Sequence, residues 1–276
     1  MNFFSVIGNP IKHSLSPLIH NTANIVLNLD ASYGRILLDK KEDLENVFLD
    51  FYLSGANITL PFKEKAFEIA NEVRGIAKDI KALNTLVLDS NSLIGYNTDA
   101  MGFYKTLESK QFKNALILGA GGSAKAVAFI LKQKGVNVSI LNRSDRKSEF
   151  SEFNFFLDSR EIENTDLIIN ATSASLKNEL PLEINELNRL FKNASLTYDL
   201  MYGITSPFLE LAKDNNLAIK DGLDMLIFQA VFSFILFHEK ALKEKGLLKS
   251  SGLEVLESSM ESSLVEHIFN IMKKSI

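Results

Sequence analysis

The chain has 276 residues, 46% of them hydrophobic, which is enough for one large core or two modest ones. A formal net charge of -4, with 23% charged residues, leaves no basic footprint for nucleic acid. The absence of cysteine excludes disulfides, thiolate catalysis and Cys-based zinc sites, and the four histidines (His13, His20, His238, His267) form no His-Glu-x-x-His pattern, so no metal site is expected.

The N-terminal stretch Met1–Gly8 lacks a basic leader, and its apolar run is too short for a signal peptide, so a cytoplasmic protein is expected. Phe3–Ile7 reads as the first strand. The loop from Gly8 to Asn21 then enters a helix with Pro17 at an early position. Ser14 and Ser16 present two hydroxyls beside that helix start, suited to a carboxylate, unless Ser16 simply caps the helix. Strands follow at Ser32–Leu37 and Ala56–Thr59, and in the second Asn57 and Thr59 point to one side. Pro61 ends that strand and starts a helix, so Lys63 projects near the strand end; an isolated lysine is otherwise a solvated surface residue. Asn84 precedes the strand Thr85–Leu88. In Gly95–Phe103, Asn97, Thr98 and Asp99 either carry chemistry or cap the following helix.

The strand Ala115–Leu118 is continuously apolar, as suits a parallel strand buried on both faces. It runs directly into Gly119-Ala120-Gly121-Gly122-Ser123-Ala124, and Ala124, Val127, Ala128 and Leu131 then keep helical spacing. Strand, glycine turn and helix N-terminus in this order predict a dinucleotide site. Gly119 permits the turn, Gly121 lets the backbone approach a pyrophosphate, and the first helical amides favour the anion. The spacing is Gly-x-Gly-Gly-x-Ala, and a plain tight turn would account for the glycines alone. The next strand, Val136–Leu141, leads to Asn142-Arg143-Ser144 and Lys147, where NAD-selective proteins place an acid. Cationic and amide groups there favour NADP, with a surface basic cluster as the bland alternative.

Strands at Leu167–Ile169 and Leu196–Tyr198 complete the alternation, which predicts βαβ units with parallel sheets. The most apolar segment, Leu223–Phe237, falls short of the roughly 20 residues that span a bilayer and reads as a buried helix packing back on the N-terminal region. Gln229 lies within it and needs hydrogen-bond partners, from a ligand or from the core. Leu253–Met272 is a final helical pattern, either capping a domain or making an oligomer contact.

Together the Ser-x-Ser-Pro, Asn-x-Thr-x-Pro-Phe-Lys and Asn-Thr-Asp segments resemble the shikimate dehydrogenase family, from Ser5 to about His238. Asn170–Ser173, Asp199–Tyr202 and Gly222–Ala230 also match. The resemblance implies an α/β protein with an N-terminal substrate-binding domain (1–99 and 222–276) and a Rossmann-type, doubly wound NADP domain (100–221). It implies that Ser14 and Ser16 hold the substrate carboxylate with Thr59 and Tyr202 nearby. Lys63, Asn84, Asp99 and Gln229 would surround the ring hydroxyls, with Lys63 and Asp99 as the catalytic pair. Gly119, Ala120, Gly121, Gly122, Ser123, Ala124, Asn142, Arg143, Ser144 and Lys147 would hold NADP(H), with Leu200 and Gly222 by the nicotinamide. The implied reaction is reduction of 3-dehydroshikimate by NADPH in chorismate and aromatic amino acid biosynthesis, without a metal. A small-molecule substrate is implied, with no nucleic acid or membrane partner, in a monomer or homodimer. Alternatives are a quinate/shikimate dehydrogenase with broader substrate and NAD use, a non-catalytic relative that senses shikimate or nucleotide, and a folate-type dehydrogenase. The sequence departs from the family pattern at Ala174-Ser175, where a glycine is usual, at Ser123 and at Asp224.

Overall fold

The computed structural model describes residues 1–40, 43–107, 110–204, 206–258 and 262–276. The chain divides into two compact units, one formed by Met1–Gly102 with Ile227–Ile276 and the other by Phe103–Leu226. The divisions expected from the sequence, at 99/100 and 221/222, fall a few residues earlier in each case.

The first unit carries β1 (Asn2–Gly8), α1 (Ser16–Val26), β2 (Ala31–Leu37), α2 (Leu44–Asp50), β3 (Gly55–Ile58) and α3 (Lys63–Ile69). There follow β4 (Glu72–Val73), α4 (Ala77–Ile80), β5 (Thr85–Asp89), β6 (Ser92–Tyr96) and α5 (Asp99–Lys105), the last crossing the unit boundary. Its six strands run in the order β2-β1-β3-β5-β6-β4. The expectation of parallel sheets fails here in part: β1, β2 and β3 are parallel, but β5 is antiparallel to both β3 and β6. The cause is local. Ser90 and Asn91 both take positive φ (48° and 69°), the two-residue turn whose twist suits a hairpin, and they fold β6 back on β5. One face of the sheet buries Ile7, Ala56, Ile58 and Leu86 against Val47, Phe48 and Ala66 of α2 and α3.

The second unit holds β7 (Asn114–Leu118), α6 (Gly122–Gln133), β8 (Asn137–Leu141), β9 (Asn154–Phe156), β10 (Leu167–Asn170), α7 (Ile184–Phe191), β11 (Leu196–Asp199), α8 (Pro207–Asp214) and β12 (Ala218–Lys220). All six strands are parallel, in the order β12-β11-β10-β7-β8-β9. Numbered from β7 this is the doubly wound 6-5-4-1-2-3 arrangement, with its switch point between β7 and β10, where such sheets bind nucleotides.

The apolar helix α9 (Leu223–Phe237) begins in the second unit and continues into the first. Beyond it are α10 (Glu239–Glu244), α11 (Gly252–Ser258) and α12 (Ser262–Lys273). Part of the expected helix Leu253–Met272, residues 259–261, lies outside the described residues. Leu264, Val265, Ile268, Phe269 and Met272 form one buried stripe of α12, which lies against α1, and Phe269 stacks on Phe228 of α9 at 4.1 Å. The tail thus completes the core of the first unit. Among the described residues no helix is long and apolar enough to cross a membrane.

Candidate active site

Four segments of the first unit deliver polar side chains to one buried cluster. Lys63 opens α3, after a turn closed by the Phe62 N–H donating to Thr59 O at 2.9 Å. A cation at a helix N-terminus opposes the helix dipole. The compensation is direct: Lys63 Nζ donates to Asp99 Oδ2 at 2.6 Å, with both side chains about nine-tenths buried (11% and 9% exposed). Asp99 opens α5, where an anion is favoured. Capping of α5 falls to Asn97, whose Oδ1 accepts the Ala100 N–H at 3.2 Å, so Asp99 is left for the lysine.

Asn84 closes the cluster from the start of β5. Its Nδ2 lies 2.8 Å from Thr98 Oγ1, 2.9 Å from Asp99 Oδ1 and 3.3 Å from Gln229 Oε1. Its Oδ1 accepts the Thr98 N–H at 2.7 Å. Gln229 reaches this position because α5 lies close against α9: a Cβ on Gly102 would stand 2.7 Å from Gln229 N. Lys63, Asn84, Asp99 and Gln229, read separately from the sequence, are therefore brought into one hydrogen-bonded cluster.

The serine pair is organised differently from the capping alternative. Ser16 is already helical, and its N–H donates to Ser14 Oγ at 3.3 Å, while Ser14 Oγ donates to Ser16 Oγ at 3.2 Å. Arg35, outside the set expected from the sequence, holds the Ser14 carbonyl through Nε (3.1 Å) and Nη2 (2.5 Å). Thr59 is half-buried, and its N–H donates to Ile7 O at 2.9 Å. Asn57 and Tyr33, also outside the expected set, are bonded to each other, Tyr33 OH donating to Asn57 Oδ1 at 2.7 Å. Nearby, burial pushes the His20 imidazole down to about 3 and that of His238 to about 4, so both are neutral near pH 7.

In the second unit the glycine loop joins β7 to α6. Gly119 has φ +101°, a left-handed conformation that favours glycine, and a Cβ there would meet Thr172 Cγ2 at 3.1 Å. At Gly121 a Cβ would meet nothing within 4 Å, so the loop faces open space where a phosphate needs the backbone. Ala124 is buried, whereas Ala120 is held from outside the loop: Arg146 Nη1 donates to its carbonyl at 2.6 Å. Arg146 lies in the basic cluster, although its neighbours are the ones the sequence singles out. Asn142 Nδ2 binds Ser144 O (2.8 Å) and Oγ (3.0 Å), and Arg143 and Lys147 are exposed. These residues fit a dinucleotide with a 2′-phosphate: an open glycine turn at the switch point, and two exposed cations with no acid at Asn142.

Leu200 and Gly222 are neighbours: the Leu200 N–H donates to Asn170 O, and the Gly222 N–H to Met201 O, both at 3.0 Å. Tyr202 is half-buried in the same loop, and burial raises its phenol. Two of the three departures from the family pattern are accommodated. Ser175 sits in a short 3₁₀ turn and donates to buried Asp199 Oδ2 at 2.6 Å. Asp224 lies in the first turn of α9, where its charge is favoured, 3.7 Å from Lys220 Nζ.

A doubly wound sheet with a glycine loop at its switch point, in a chain that also carries a buried Lys–Asp pair, defines the class: an α/β oxidoreductase with a dinucleotide-type unit. Residues 6–86 match the family model for the shikimate dehydrogenase substrate binding domain. The chain is 52% identical over 238 residues to the NADP(+) shikimate dehydrogenase of Helicobacter pylori strain P12, covering 84% of this chain and 90% of that one. It belongs to the shikimate dehydrogenase family. The corresponding protein of Helicobacter hepaticus is 49% identical over 255 residues, 90% of this chain and 95% of that one. Among solved structures, shikimate 5-dehydrogenase from Thermus thermophilus, in complex with NADP(H) and shikimate, superposes with a TM-score of 0.78 at 30% identity, covering 100% of both chains.

Proposed function

We propose that this chain is an NADP-dependent shikimate dehydrogenase, catalysing the reversible reduction of 3-dehydroshikimate to shikimate. The observation that carries the reading is the buried Lys63–Asp99 pair with Asn84 and Gln229 around it. NADP(H), held by Gly119–Ala124, Asn142, Arg143, Ser144 and Lys147 with Leu200 and Gly222 at its nicotinamide end, supplies or accepts the hydride when bound. The protein's own task is the proton. In ketone reduction Lys63 gives a proton to the carbonyl oxygen as it becomes a hydroxyl; in the reverse direction neutral Lys63 takes it back. Asp99 holds the ammonium in place and accepts a hydrogen bond from the same hydroxyl. Asn84 and Gln229 bind the remaining ring hydroxyls by changing partner, since the Asn84 amide is already engaged with Thr98, Asp99 and Gln229. Ser14 and Ser16 take the carboxylate, with Thr59 and Tyr202.

The domain roles follow: a substrate-binding first unit and an NADP-binding second unit. The chain acts on a small molecule in the cytoplasm, as a monomer or homodimer, with neither nucleic acid nor membrane as partner. Steady-state reduction of 3-dehydroshikimate by NADPH, repeated with NADH, tests the reading. A clear preference for NADPH is expected. Turnover with NADH as good as with NADPH, joined to oxidation of quinate, would favour the broader quinate/shikimate activity; binding of shikimate without turnover would favour a sensor.

A further inference from the structure

Arg146 stands between Arg143 and Lys147 in the basic cluster after β8, but its guanidinium is committed to the protein. Nε and Nη2 form a fork on Glu149, reaching Oε1 at 2.5 Å and Oε2 at 2.6 Å, and Nη1 donates to Ala120 O at 2.6 Å. Glu149 is anchored in turn. Its Oε2 lies 2.6 Å from Nζ of Lys125, whose side chain is only 9% exposed near the start of α6. A buried ammonium at that end of a helix opposes the dipole and needs an anion, so Glu149 is held to α6. Arg146 therefore spans from a fixed carboxylate to the glycine loop.

The bond to Ala120 decides which way a loop amide points. The Ala120–Gly121 peptide is trans, so its C=O and N–H point in opposite directions. With the carbonyl drawn to Arg146, the Gly121 N–H is turned away from the guanidinium. Among the described residues it has no acceptor, and a Cβ at Gly121 would meet nothing within 4 Å. A free amide facing open space at the start of a helix suits an anion. The same peptide turned over would present a carbonyl there instead, and a carbonyl repels phosphate.

We propose that Arg146 is a positioning residue for the dinucleotide: braced by Glu149 and Lys125, it sets the Ala120–Gly121 peptide with its N–H free for the pyrophosphate, and it does not read the 2′-phosphate. This rests on the NADP-dependent reading and goes beyond it by dividing the basic cluster. Arg143 and Lys147, both exposed, serve the 2′-phosphate; Arg146 serves the part of the cofactor that carries no 2′-phosphate.

The test uses two probes, NADP+ and adenosine 2′-monophosphate, which has the 2′-phosphate but no pyrophosphate. NADP+ is titrated calorimetrically, and the nucleotide is measured by its competition with NADP+. Arg146→Ala weakens NADP+ about tenfold, the scale of one hydrogen bond from a charged donor, and leaves adenosine 2′-monophosphate as in wild type. Its thermal midpoint stays near wild type, because Lys125 and Glu149 keep each other. Arg146→Lys weakens NADP+ to the same extent, since one ammonium does not hold the carboxylate fork and the carbonyl together. Arg143→Ala, by contrast, weakens both probes. Equal weakening of the two probes by Arg146→Ala would make Arg146 a reader of the 2′-phosphate and overturn the proposal. So would wild-type NADP+ binding in Arg146→Ala or Arg146→Lys, an Arg146→Ala chain that no longer folds, or adenosine 2′-monophosphate binding indifferent to Arg143→Ala. A wild type that does not bind NADP+ would remove the function reading and this inference together; each of the other results, with a wild type that binds NADP+, would remove this inference alone.

Discussion

Each unit buries an aspartate inside a polar cluster, and the two clusters differ in kind. In the second unit Asp199 is fully buried. Its Oδ2 accepts from Ser175 and Ser206, both at 2.6 Å, and from Asn170 at 3.1 Å, while its Oδ1 takes the Met201 N–H at 2.9 Å. Every donor is neutral, and none releases a proton near neutral pH. The knot fixes the ends of β10 and β11 and the loops that leave them. In the first unit Asp99 faces an ammonium, a group with a transferable proton, and amides that can exchange partners. A buried carboxylate ringed by neutral donors is a staple; one paired to a lysine among amides is equipped for chemistry.

Substitutions sharpen that contrast. Lys63→Ala gives the largest effect, a fall in turnover of roughly 100-fold or more from loss of the general acid/base, with NADP+ affinity unchanged. Near-normal turnover would break the assignment of Lys63. Asp199→Ala acts on stability instead: stranding buried hydroxyl and amide donors costs about 3 kcal/mol, read from denaturant midpoints, while the KM for shikimate holds. A stable Asp199→Ala protein with a raised shikimate KM would place Asp199 among the substrate groups and erase the distinction drawn between the two carboxylates.

The two regions also differ in how much of them is legible in the sequence. The dinucleotide unit is legible because its signal is local: β7, the glycine turn and α6 are contiguous, and an apolar strand, turn glycines and helical spacing are each visible in a short window. The short outer strands β9 and β12, three residues each, carry no such pattern. In the first unit the hairpin from β5 to β6 escapes a sequence reading because its turn is Ser90-Asn91 rather than a glycine pair, and the mixed sheet escapes with it. The site residues there lie far apart in the chain; Asn84 and Gln229 are separated by 145 positions. No physical rule joins them in sequence, and only the family resemblance does. Tyr33, Arg35 and Asn57 escape even so. Tyr33 and Arg35 sit in a run that reads as an ordinary strand, and the pattern around Asn57 gives it a direction but no partner. Arg146 escapes for another reason: in a cluster of three cations, sequence does not say which one turns inward to the Ala120 carbonyl.

The proposed function divides the labour between the units: side chains of the first recognise the substrate, and the backbone loop of the second recognises the cofactor. Separate calorimetric titrations of shikimate and of NADP+ into wild type, Gln229→Ala and Gly121→Val test it most directly. A crossed result is expected: Gln229→Ala weakens shikimate about tenfold and leaves NADP+ alone, and Gly121→Val weakens NADP+ by a similar factor and leaves shikimate alone. Weakening of the same ligand by both substitutions, or shikimate binding untouched by Gln229→Ala, would contradict it.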